Sequence, residues 1–347
     1  MTDAVHWLLG STLLTLALSW WLTGRVRQYA TRVNLLDVPN ERSSHSVPTP
    51  RGGGVAIVTA FTIALLGMAL AGRVDRQLWL ALLGGGLLTA ALGFLDDKYT
   101  IPAKVRFAGH AISAAWALAM MAPMPALVFF DVVVDFGWAT PVIAGLFIVW
   151  MINLFNFMDG IDGIAGVEAV SVALGGALVW GIVQPTGAWP LAVMFAACGA
   201  GFLMWNFPPA RIFMGDAGSG FLGFVVAVIS LWCATQAPQL LWSWAILSAC
   251  FLVDATTTLV RRVVRGERFH VAHRSHAYQY ASRRHRSHKA VTISVFLINT
   301  FWLLPWSVAV ALEKIDGATG MLLASAPLIC LAYRYKAGDS AGQHEAR

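Results

Sequence analysis

Apolar residues fill this chain in long blocks that short polar segments separate. Each block comes close to the roughly 20 apolar residues that a helix needs to cross a bilayer core. The pattern therefore predicts an all-α polytopic membrane protein with about eleven transmembrane helices. The blocks are residues 5–23, 54–72, 77–95, 106–122, 140–158, 163–183, 188–206, 218–237, 239–260, 290–312 and 317–333.

Two segments affect this count. Residues 123–139 contain the alternating run ALVFFDVVVDFGW, which is typical of strands, so we expect a short hairpin outside the membrane and not a further span. The first block lacks a basic flank before it and a small-residue cleavage site after it. We therefore expect a membrane helix there and not a cleaved signal peptide.

The composition agrees with the pattern. Hydrophobic residues make up 58% of the 347 residues and charged residues only 12%, against the roughly 25% that soluble domains carry. The four cysteines have no metal-ligand spacing, so neither a disulfide nor a zinc site is indicated. The formal net charge of +6 suggests nucleic acid at first sight, but its distribution favours a topology signal, and we predict no nucleic-acid partner.

Basic residues fall on one side of the predicted membrane. With the N-terminus outside, 21 of the 24 Lys and Arg residues lie in inside segments or at the start of the helix that follows one. Cytoplasmic loops carry excess Lys and Arg, so this orientation is favoured and places the C-terminus in the cytoplasm. We predict a single membrane domain, residues 1–347, with cytoplasmic loops 24–53, 96–105, 159–162, 207–217 and 261–289.

Acidic residues collect on the same predicted face. Five aspartates from three loops would converge there, and the loop 261–289 is the most basic stretch of the chain. Carboxylates suit Mg²⁺, and arginines suit phosphate oxygens. Together with the bilayer, they suit a reaction that joins a nucleotide diphosphate to a lipid phosphate. The aspartates are Asp96, Asp97, Asp159, Asp162 and Asp216, and the polar residues beside them include Asn156, Asn206 and Arg211.

Each feature also has a purely structural interpretation. Asp96 and Asp97 could cap a helix, and Asp159 and Asp162 could share a helix face or form a turn with their neighbouring glycines. The segment GDAGSG resembles a phosphate-binding loop but could simply permit close helix packing. Asp254 is interpreted as an ion-pair partner of the arginines that follow it. These interpretations leave unexplained why all of the features share one face.

Five motifs follow one another in a fixed order: DVPNERSSHSVPTPRGGGVAI, LDDKYTIPAKVR, NLFNFMDGIDGIAG, RIFMGDAGSGFLG and HRSHAYQ. They cover about residues 34 to 290 and resemble the polyprenyl-phosphate N-acetylhexosamine-1-phosphate transferases, glycosyltransferase family 4. NFMDGIDG together with FMGDAGS is highly specific. The resemblance implies an inner-membrane enzyme with a cytoplasmic active site that uses Mg²⁺, for which Mn²⁺ could substitute. It also implies undecaprenyl phosphate and a UDP-N-acetylaminosugar as substrates, and membrane lipids as partners around the helices.

The resemblance assigns roles to the motif residues. One of the adjacent aspartates would take the proton of the lipid phosphate, and HRSHAYQ would supply the contacts to the diphosphate. Because a lipid phosphate is already ionised near neutral pH, we expect direct attack, with a phospho-aspartyl intermediate as the alternative. The catalytic residues are Asp96, Asp97, Asp159 and Asp162, the metal ligand is Asp216, and the substrate-binding residues are Asn156, Asn206, Arg211, Arg274 and His276.

The last motif differs from that of the peptidoglycan enzyme, which has three consecutive histidines. HRSHAYQ has Tyr278 and Gln279 where later histidines would fall, and it resembles the O-antigen-initiating branch. Peptidoglycan and teichoic-acid lipid-intermediate synthases are the alternatives within the family. Outside it, the alternative is a transporter or flippase for an anionic substrate, which would usually hold its site near the midplane between repeats. The identity of the aminosugar, the polysaccharide pathway and a homodimer, common among related enzymes, stay open.

Overall fold

Helices form nearly all of the regular structure in the computed structural model, which describes residues 2–39, 47–99, 101–130, 132–267 and 274–339. Apolar segments favour helices in a bilayer because each backbone group must bond within its own segment. The helices are α1 (Thr2–Arg32), α2 (Gly54–Leu70), α3 (Arg76–Tyr99), α4 (Ala103–Met121), α5 (Ala139–Met158), α6 (Ile164–Val183), α7 (Pro190–Asn206), α8 (Asp216–Gln236), α9 (Gln239–Leu247), α10 (Ala249–Val264), α11 (Ala277–His285), α12 (His288–Ile298), α13 (Leu304–Ala311) and α14 (Gly317–Arg334). A π-helical turn, Asn299–Leu303, joins α12 to α13.

All eleven predicted apolar blocks are helical in the structure. In the described part of the chain, seven helical segments are long and apolar enough to cross a membrane. The pair α9 and α10, bent by 76° at one residue, makes an eighth if it counts as one span. Helices α2 and α7 are apolar but shorter, at 17 residues each. These features are those of a multi-pass membrane protein, while the eleven crossings and their orientation stay predictions.

The short hairpin predicted within residues 123–139 is confirmed. Strands β3 (Leu127–Phe129) and β4 (Val132–Val134) pair antiparallel, with Leu127 opposite Val134. The indole N–H of Trp242 donates to the carbonyl of Val128 at 2.6 Å and ties the hairpin to α9. A second small ribbon, formed by β1 (Leu36–Asp37) and β2 (Thr49–Pro50), precedes α2.

Helix α8 lies at the centre of the bundle, packed against α2, α3, α5, α6 and α9. Glycines permit the closest of these approaches. A Cβ on Gly223 would lie 2.2 Å from the carbonyl oxygen of Met151 in α5, and one on Gly93 of α3 would lie 2.4 Å from the carbonyl oxygen of Asp216. The first turn of α8 therefore lies directly against the end of α3.

The bend between α9 and α10 lies beside a buried carboxyl group. Glu168 of α6 is completely buried, and its Oε2 accepts a hydrogen bond from the amide of Asn299 at 2.7 Å. The backbone N–H of Phe251, in the first turn of α10, faces the same carboxyl group. First-turn N–H groups have no partner within their own helix, so this carboxyl group stabilises the broken end of α10.

Replacing Gly223 with alanine should destabilise the bundle, because the added Cβ would overlap the Met151 carbonyl and push α5 away from α8. Overpacking of this kind costs about 1–3 kcal/mol. Thermal unfolding in detergent measures the loss. Gly67→Ala in α2 is the control, since nothing lies within 4 Å of its added Cβ and alanine favours a helix over glycine. Equal melting temperatures for the two variants would contradict the packing described here.

Candidate active site

The carboxylate of Asp97 caps the N-terminus of α8. Its Oδ1 accepts a hydrogen bond from the backbone N–H of Asp216 at 3.1 Å, and its Oδ2 accepts one from Ala217 at 3.3 Å. The first N–H groups of a helix lack partners within it, and the helix dipole favours an anion at that end. The contact therefore fixes the end of α3 against the start of α8.

The glycine-rich segment GDAGSG serves this packing. Gly215 has a φ of +77°, and a Cβ there would lie 2.6 Å from Oδ2 of Asp97. A Cβ on Gly218 would lie 2.6 Å from the Cα of Gly54, at the start of α2. Because Asp97 already occupies the first donors of α8, the structure favours close helix packing over a phosphate-binding loop for this segment.

Asp96 points to different partners and is held on both oxygens. Its Oδ2 forms an ion pair with Nη1 of Arg106 at 2.5 Å, and its Oδ1 accepts a hydrogen bond from the backbone N–H of Ile101 at 2.6 Å. The residue is buried. These contacts give the adjacent aspartates separate places, one at the start of α8 and one toward α4.

The Asp216 carboxyl group lies between the ends of α3 and α5. It contacts the side chains of Asn156 and Asp96. Asn156 also donates a hydrogen bond to Oγ of Ser219 at 3.2 Å, which ties the end of α5 to the first turn of α8. The structure thus brings together side chains from three of the motifs.

Asp159 lies in the turn between α5 and α6 and faces the same group of carboxylates. Burial raises its pKa well above the ordinary value for an aspartate, and the charges of Asp216, Asp97 and Asp162 raise it further. No side chain or backbone group among the described residues donates a hydrogen bond to its carboxyl group. Its oxygens are therefore the ones left for a substrate or a cation.

Asp162 belongs to the same turn but binds elsewhere. Its Oδ2 accepts a hydrogen bond from the backbone N–H of Ala210 at 3.0 Å, and its Oδ1 lies 3.2 Å from Nδ1 of His288. The next residue, Gly163, has a φ of +76° and leads into α6. The two aspartates are thus arranged in a turn and not along one helix face.

Two predicted substrate-binding residues have structural contacts. Asn206 is buried, accepts a hydrogen bond from the N–H of Gly163 at 3.0 Å and donates one to the carbonyl of Ile212 at 2.9 Å, so it bridges two loops. Arg211 is exposed, and its guanidinium lies 6.0 Å from the centre of the Trp205 ring. Within the described ranges it forms no ion pair with the site carboxylates.

A basic cleft of about 620 Å³ opens next to Asp162. Pro208 and Pro209 form part of its wall, and Arg274 lies in it as the predicted contact for a diphosphate. The carbonyl of Arg274 also accepts a hydrogen bond from Arg283 at 3.2 Å. The further basic residues that line it are Arg283, Arg286, His288 and Lys289.

His276 is buried below the turn that carries Asp159. Its ring stacks with those of Phe157 and Tyr278, whose centres lie 6.4 and 5.8 Å away. The hydroxyl of Tyr278 donates to the carbonyl of Phe157 at 3.0 Å, and a Cβ on Gly160 would lie 2.2 Å from that hydroxyl oxygen. The glycine therefore lets the described residues of HRSHAYQ, residues 274–279, pack directly beneath the turn. These residues are called the histidine motif below.

Asp254 anchors this motif. Its two carboxylate oxygens accept hydrogen bonds from the backbone N–H groups of Ala277 and Tyr278, both at 2.9 Å, and Oδ1 lies 3.4 Å from Nδ1 of His276. It thereby caps α11 and joins α10 to the histidine motif.

The predicted pairing of Asp254 with Arg261 or Arg262 is wrong. Arg261 pairs with Asp339 at 2.6 Å, and Arg262 pairs with Glu267 at 2.8 Å. The physical reason is the N-terminus of α11, whose first N–H groups are strong donors for a carboxylate.

Three residues of the site were not predicted. Arg106 pairs with Asp96, Arg51 donates to the backbone oxygen of Asp97, and His288 lies beside Asp162. Arg51 and Arg106 stand inside two of the five motifs, so those motifs held a signal for them. Nothing in the sequence distinguishes His288 from the other basic residues of its loop.

The site provides hard oxygen donors without a closed cage. Among the described residues, no three His, Cys, Asp or Glu side chains are arranged to hold a metal by themselves. Mg²⁺ typically takes one or two carboxylates, several waters and substrate phosphates. The carboxyl groups of Asp216 and Asp159 fit that requirement, because a cation would also offset the repulsion between them.

Comparison with known proteins agrees with this chemistry. The model of glycosyl transferase family 4 matches residues 79–234. A probable undecaprenyl-phosphate N-acetylglucosaminyl 1-phosphate transferase of Bacillus subtilis is 29% identical over 288 residues, covering 80% of this chain and 78% of the relative. A decaprenyl-phosphate N-acetylglucosaminephosphotransferase of Mycobacterium tuberculosis is 28% identical, covering 81% and 77%. A phospho-N-acetylmuramoyl-pentapeptide-transferase of Streptococcus pneumoniae is 28% identical, covering 65% and 70%.

Fold, site and relatives together define a membrane-embedded phosphotransferase. The resemblance that the motifs predicted is confirmed: residues 79–234 match glycosyl transferase family 4, and over about 80% of its length the chain is similar to polyprenyl-phosphate N-acetylglucosamine-1-phosphate transferases.

Replacing Asp254 with alanine should loosen α11, because the N–H groups of Ala277 and Tyr278 would lose their acceptors. Leaving buried donors unpaired costs about 1–3 kcal/mol. Hydrogen exchange across residues 277–285 should rise about tenfold or more, which is the rate equivalent of about 1.4 kcal/mol. Asp339→Ala, which removes a more exposed ion-pair partner of Arg261, is the control. Unchanged exchange in Asp254→Ala would contradict the cap.

Replacing Asp159 with asparagine should stabilise the metal-free protein above the raised pKa of Asp159, since it removes a charge that burial and neighbouring carboxylates disfavour. A gain of roughly 1 kcal/mol would raise the melting temperature by about 2–4 °C. The difference should shrink as the pH falls from the raised pKa toward about 4, the ordinary value for an aspartate, because the aspartate of the unfolded chain then becomes neutral as the native one already is. Unfolding scans with a chelator measure it, with the exposed Asp75→Asn as control. A loss of stability at high pH would contradict the repulsion.

Proposed function

We propose that this protein transfers an N-acetylaminosugar-1-phosphate from a UDP-sugar to undecaprenyl phosphate, with release of UMP. The observation that carries the proposal is the group of carboxylates at the N-terminus of α8, next to a basic cleft, in a bundle of membrane-length helices. The name of the relative from Bacillus subtilis supplies the class of acceptor and the 1-phosphate group.

In the proposed reaction, an oxygen of the lipid phosphate attacks the phosphorus that carries the sugar. A new phosphorus–oxygen bond joins the two phosphates, and the bond from that phosphorus to the bridging oxygen breaks. UMP leaves with the electron pair of the broken bond. Such transfers depend mainly on positioning and on stabilising charge, with little covalent chemistry for the protein to do.

The residues divide this work according to their contacts. Arg274 and the other cations of the basic cleft suit the diphosphate, which carries the opposite charge. The carboxylate of Asp97 binds the N-terminus of α8, and that of Asp96 pairs with Arg106. We therefore assign both of them to positioning the residues around Asp216. Of the five site aspartates, only Asp159 has a carboxyl group without a hydrogen bond from the described residues, so we assign any proton transfer to it.

A divalent cation belongs to this proposal. Mg²⁺, or Mn²⁺ in its place, would be held by Asp216 with support from Asp159 and Asn156. When bound, it would neutralise charge that develops on the leaving phosphate. The crowding of carboxylates around Asp216 supports this assignment, because such a group needs positive charge nearby.

The lipid acceptor has an apolar groove beside the site. A groove of about 370 Å³ runs between α10, α11, α12 and α14 and reaches Met158 and Ile164, on either side of the Asp159 turn. Its walls are mainly apolar, and the polar residues that also line it are Asp254, Tyr278, His285, Ser294 and Tyr335. An isoprenoid chain suits such walls, since burying apolar surface drives its binding.

We further propose a bacterial inner membrane location with the site on the cytoplasmic face, supported by the asymmetry of Lys and Arg. N-acetylglucosamine is the first sugar to test, since it occurs in the names of the relatives from Bacillus subtilis and Mycobacterium tuberculosis. Tyr278 and Gln279 support the O-antigen-initiating branch over a peptidoglycan role. A homodimer is compatible with these features.

Purified protein in detergent, given undecaprenyl phosphate and a panel of UDP-N-acetylaminosugars, should release UMP only when both lipid and Mg²⁺ are present. Asp216→Asn should lower the rate at least about 100-fold, as loss of a group that stabilises developing charge does. Asp96→Asn should lower it about 10- to 100-fold, as loss of a group that orients its neighbours does.

Asp135→Asn, directly after strand β4, is the matched control and should retain the rate of the unaltered protein. Folded protein that releases no UMP from any donor would reject the transferase and favour the transporter alternative. Full activity in Asp216→Asn would reject the assigned metal ligand.

A further inference from the structure

A cluster of arginines and tryptophans lies on the side of α1, where α7 ends. Trp205 is its centre, held by α1 and flanked by two guanidinium groups. We propose that this cluster, the Trp205 platform, binds the headgroup of an anionic phospholipid of the bilayer. The platform consists of Trp20, Gly24, Arg27, Trp205 and Arg211.

Helix α1 is long enough to carry this platform past the apolar core. Its 31 residues span about 46 Å at about 1.5 Å per residue, whereas the hydrocarbon core is about 30 Å thick. Its last third holds three arginines, Arg25, Arg27 and Arg32. Basic residues next to the cytoplasmic end of a span attract anionic lipid headgroups.

The Trp205 indole is fixed against α1. Its Nε1 donates a hydrogen bond to the carbonyl of Trp20 at 3.0 Å, and the two tryptophan rings stack with centres 6.1 Å apart. A Cβ on Gly24 would lie only 3.1 Å from the indole, so the glycine makes room for it. The ring is therefore a built surface and not a loose side chain.

Two cations converge on this ring. The guanidinium of Arg27 lies 5.6 Å from the ring centre, and that of Arg211 lies 6.0 Å from it. Neither forms an ion pair with a carboxylate in the described ranges. Two like charges at one place, neither of them paired with a carboxylate, fit an anion with several acceptor oxygens, such as a phosphate.

Exposed apolar side chains near the platform favour a phosphate group that carries acyl chains. Trp21 of α1, Met204 of α7 and the adjoining Phe207 expose 54%, 61% and 37% of their surfaces. Large apolar side chains exposed beside arginines suit the boundary between headgroups and acyl chains, where tryptophan is enriched. The ligand is thus an anionic phospholipid, such as phosphatidylglycerol, and not a free phosphate ion. Arg211, which the motifs assigned to the substrate, contributes here instead.

Native mass spectrometry of the full chain in detergent tests the platform. The apparent Kd for dioleoyl-phosphatidylglycerol should rise about 25-fold in Arg27→Gln/Arg211→Gln, since a basic group near a membrane surface contributes about fivefold. Arg27→Lys/Arg211→Lys keeps both charges and should lose much less. Arg211 is exposed, so Arg211→Gln alone leaves the packing intact and should still lose about fivefold.

Arg73→Gln is the matched control. It removes a guanidinium that lies 4.1 Å from the centre of the Trp7 ring, at the other end of α1, and should not change the affinity. Unchanged phosphatidylglycerol binding in the glutamine variants would overturn the proposal. Equal losses with phosphatidylcholine would overturn it as well, and so would full competition by inorganic phosphate.

Discussion

The structure depends on one contact, in which the Asp97 carboxylate accepts the first two N–H groups of α8. Inside a bundle of apolar helices, neither that helix end nor a lone carboxylate is stable without a partner. The hydrogen bonds between this carboxylate and the start of α8 hold the end of α3 against α8, and Gly93 and Gly215 allow the close approach. Asp216 then lies next to Asp96 and Asn156, so one cap determines where the proposed metal ligand stands.

The remaining carboxylates are distributed by their partners. Arg106 offsets the charge of Asp96, and His288 lies beside Asp162, whereas the described charges that raise the pKa of Asp159 are all carboxylates. Asp254, outside this group, is bound to the N-terminus of α11 and so holds the histidine motif under the turn. The carboxylate with the least charge compensation, that of Asp159, therefore lies where the cation and the diphosphate are proposed to bind.

The sequence predicted the helices because an apolar segment in a bilayer must satisfy its own backbone hydrogen bonds, and a helix does so within one segment. It also predicted that the aspartates share one place, because alternate loops of a multi-pass chain lie on the same side. It did not predict the bend between α9 and α10, since residues 239–260 form one mainly apolar block without a glycine or proline. It missed the partners of Asp254 and Asp162, because contacts between residues 23 to 126 positions apart leave no local pattern.

The central claim is that the carboxylates at the start of α8 hold one divalent cation together with the donor substrate. Titration of Mn²⁺ followed by electron paramagnetic resonance measures this directly, without turnover. We expect one weak Mn²⁺ site per chain, tighter when a UDP-N-acetylaminosugar is present and lost in Asp216→Asn. Mn²⁺ binding that is absent, or that is the same in Asp216→Asn, would contradict the claim.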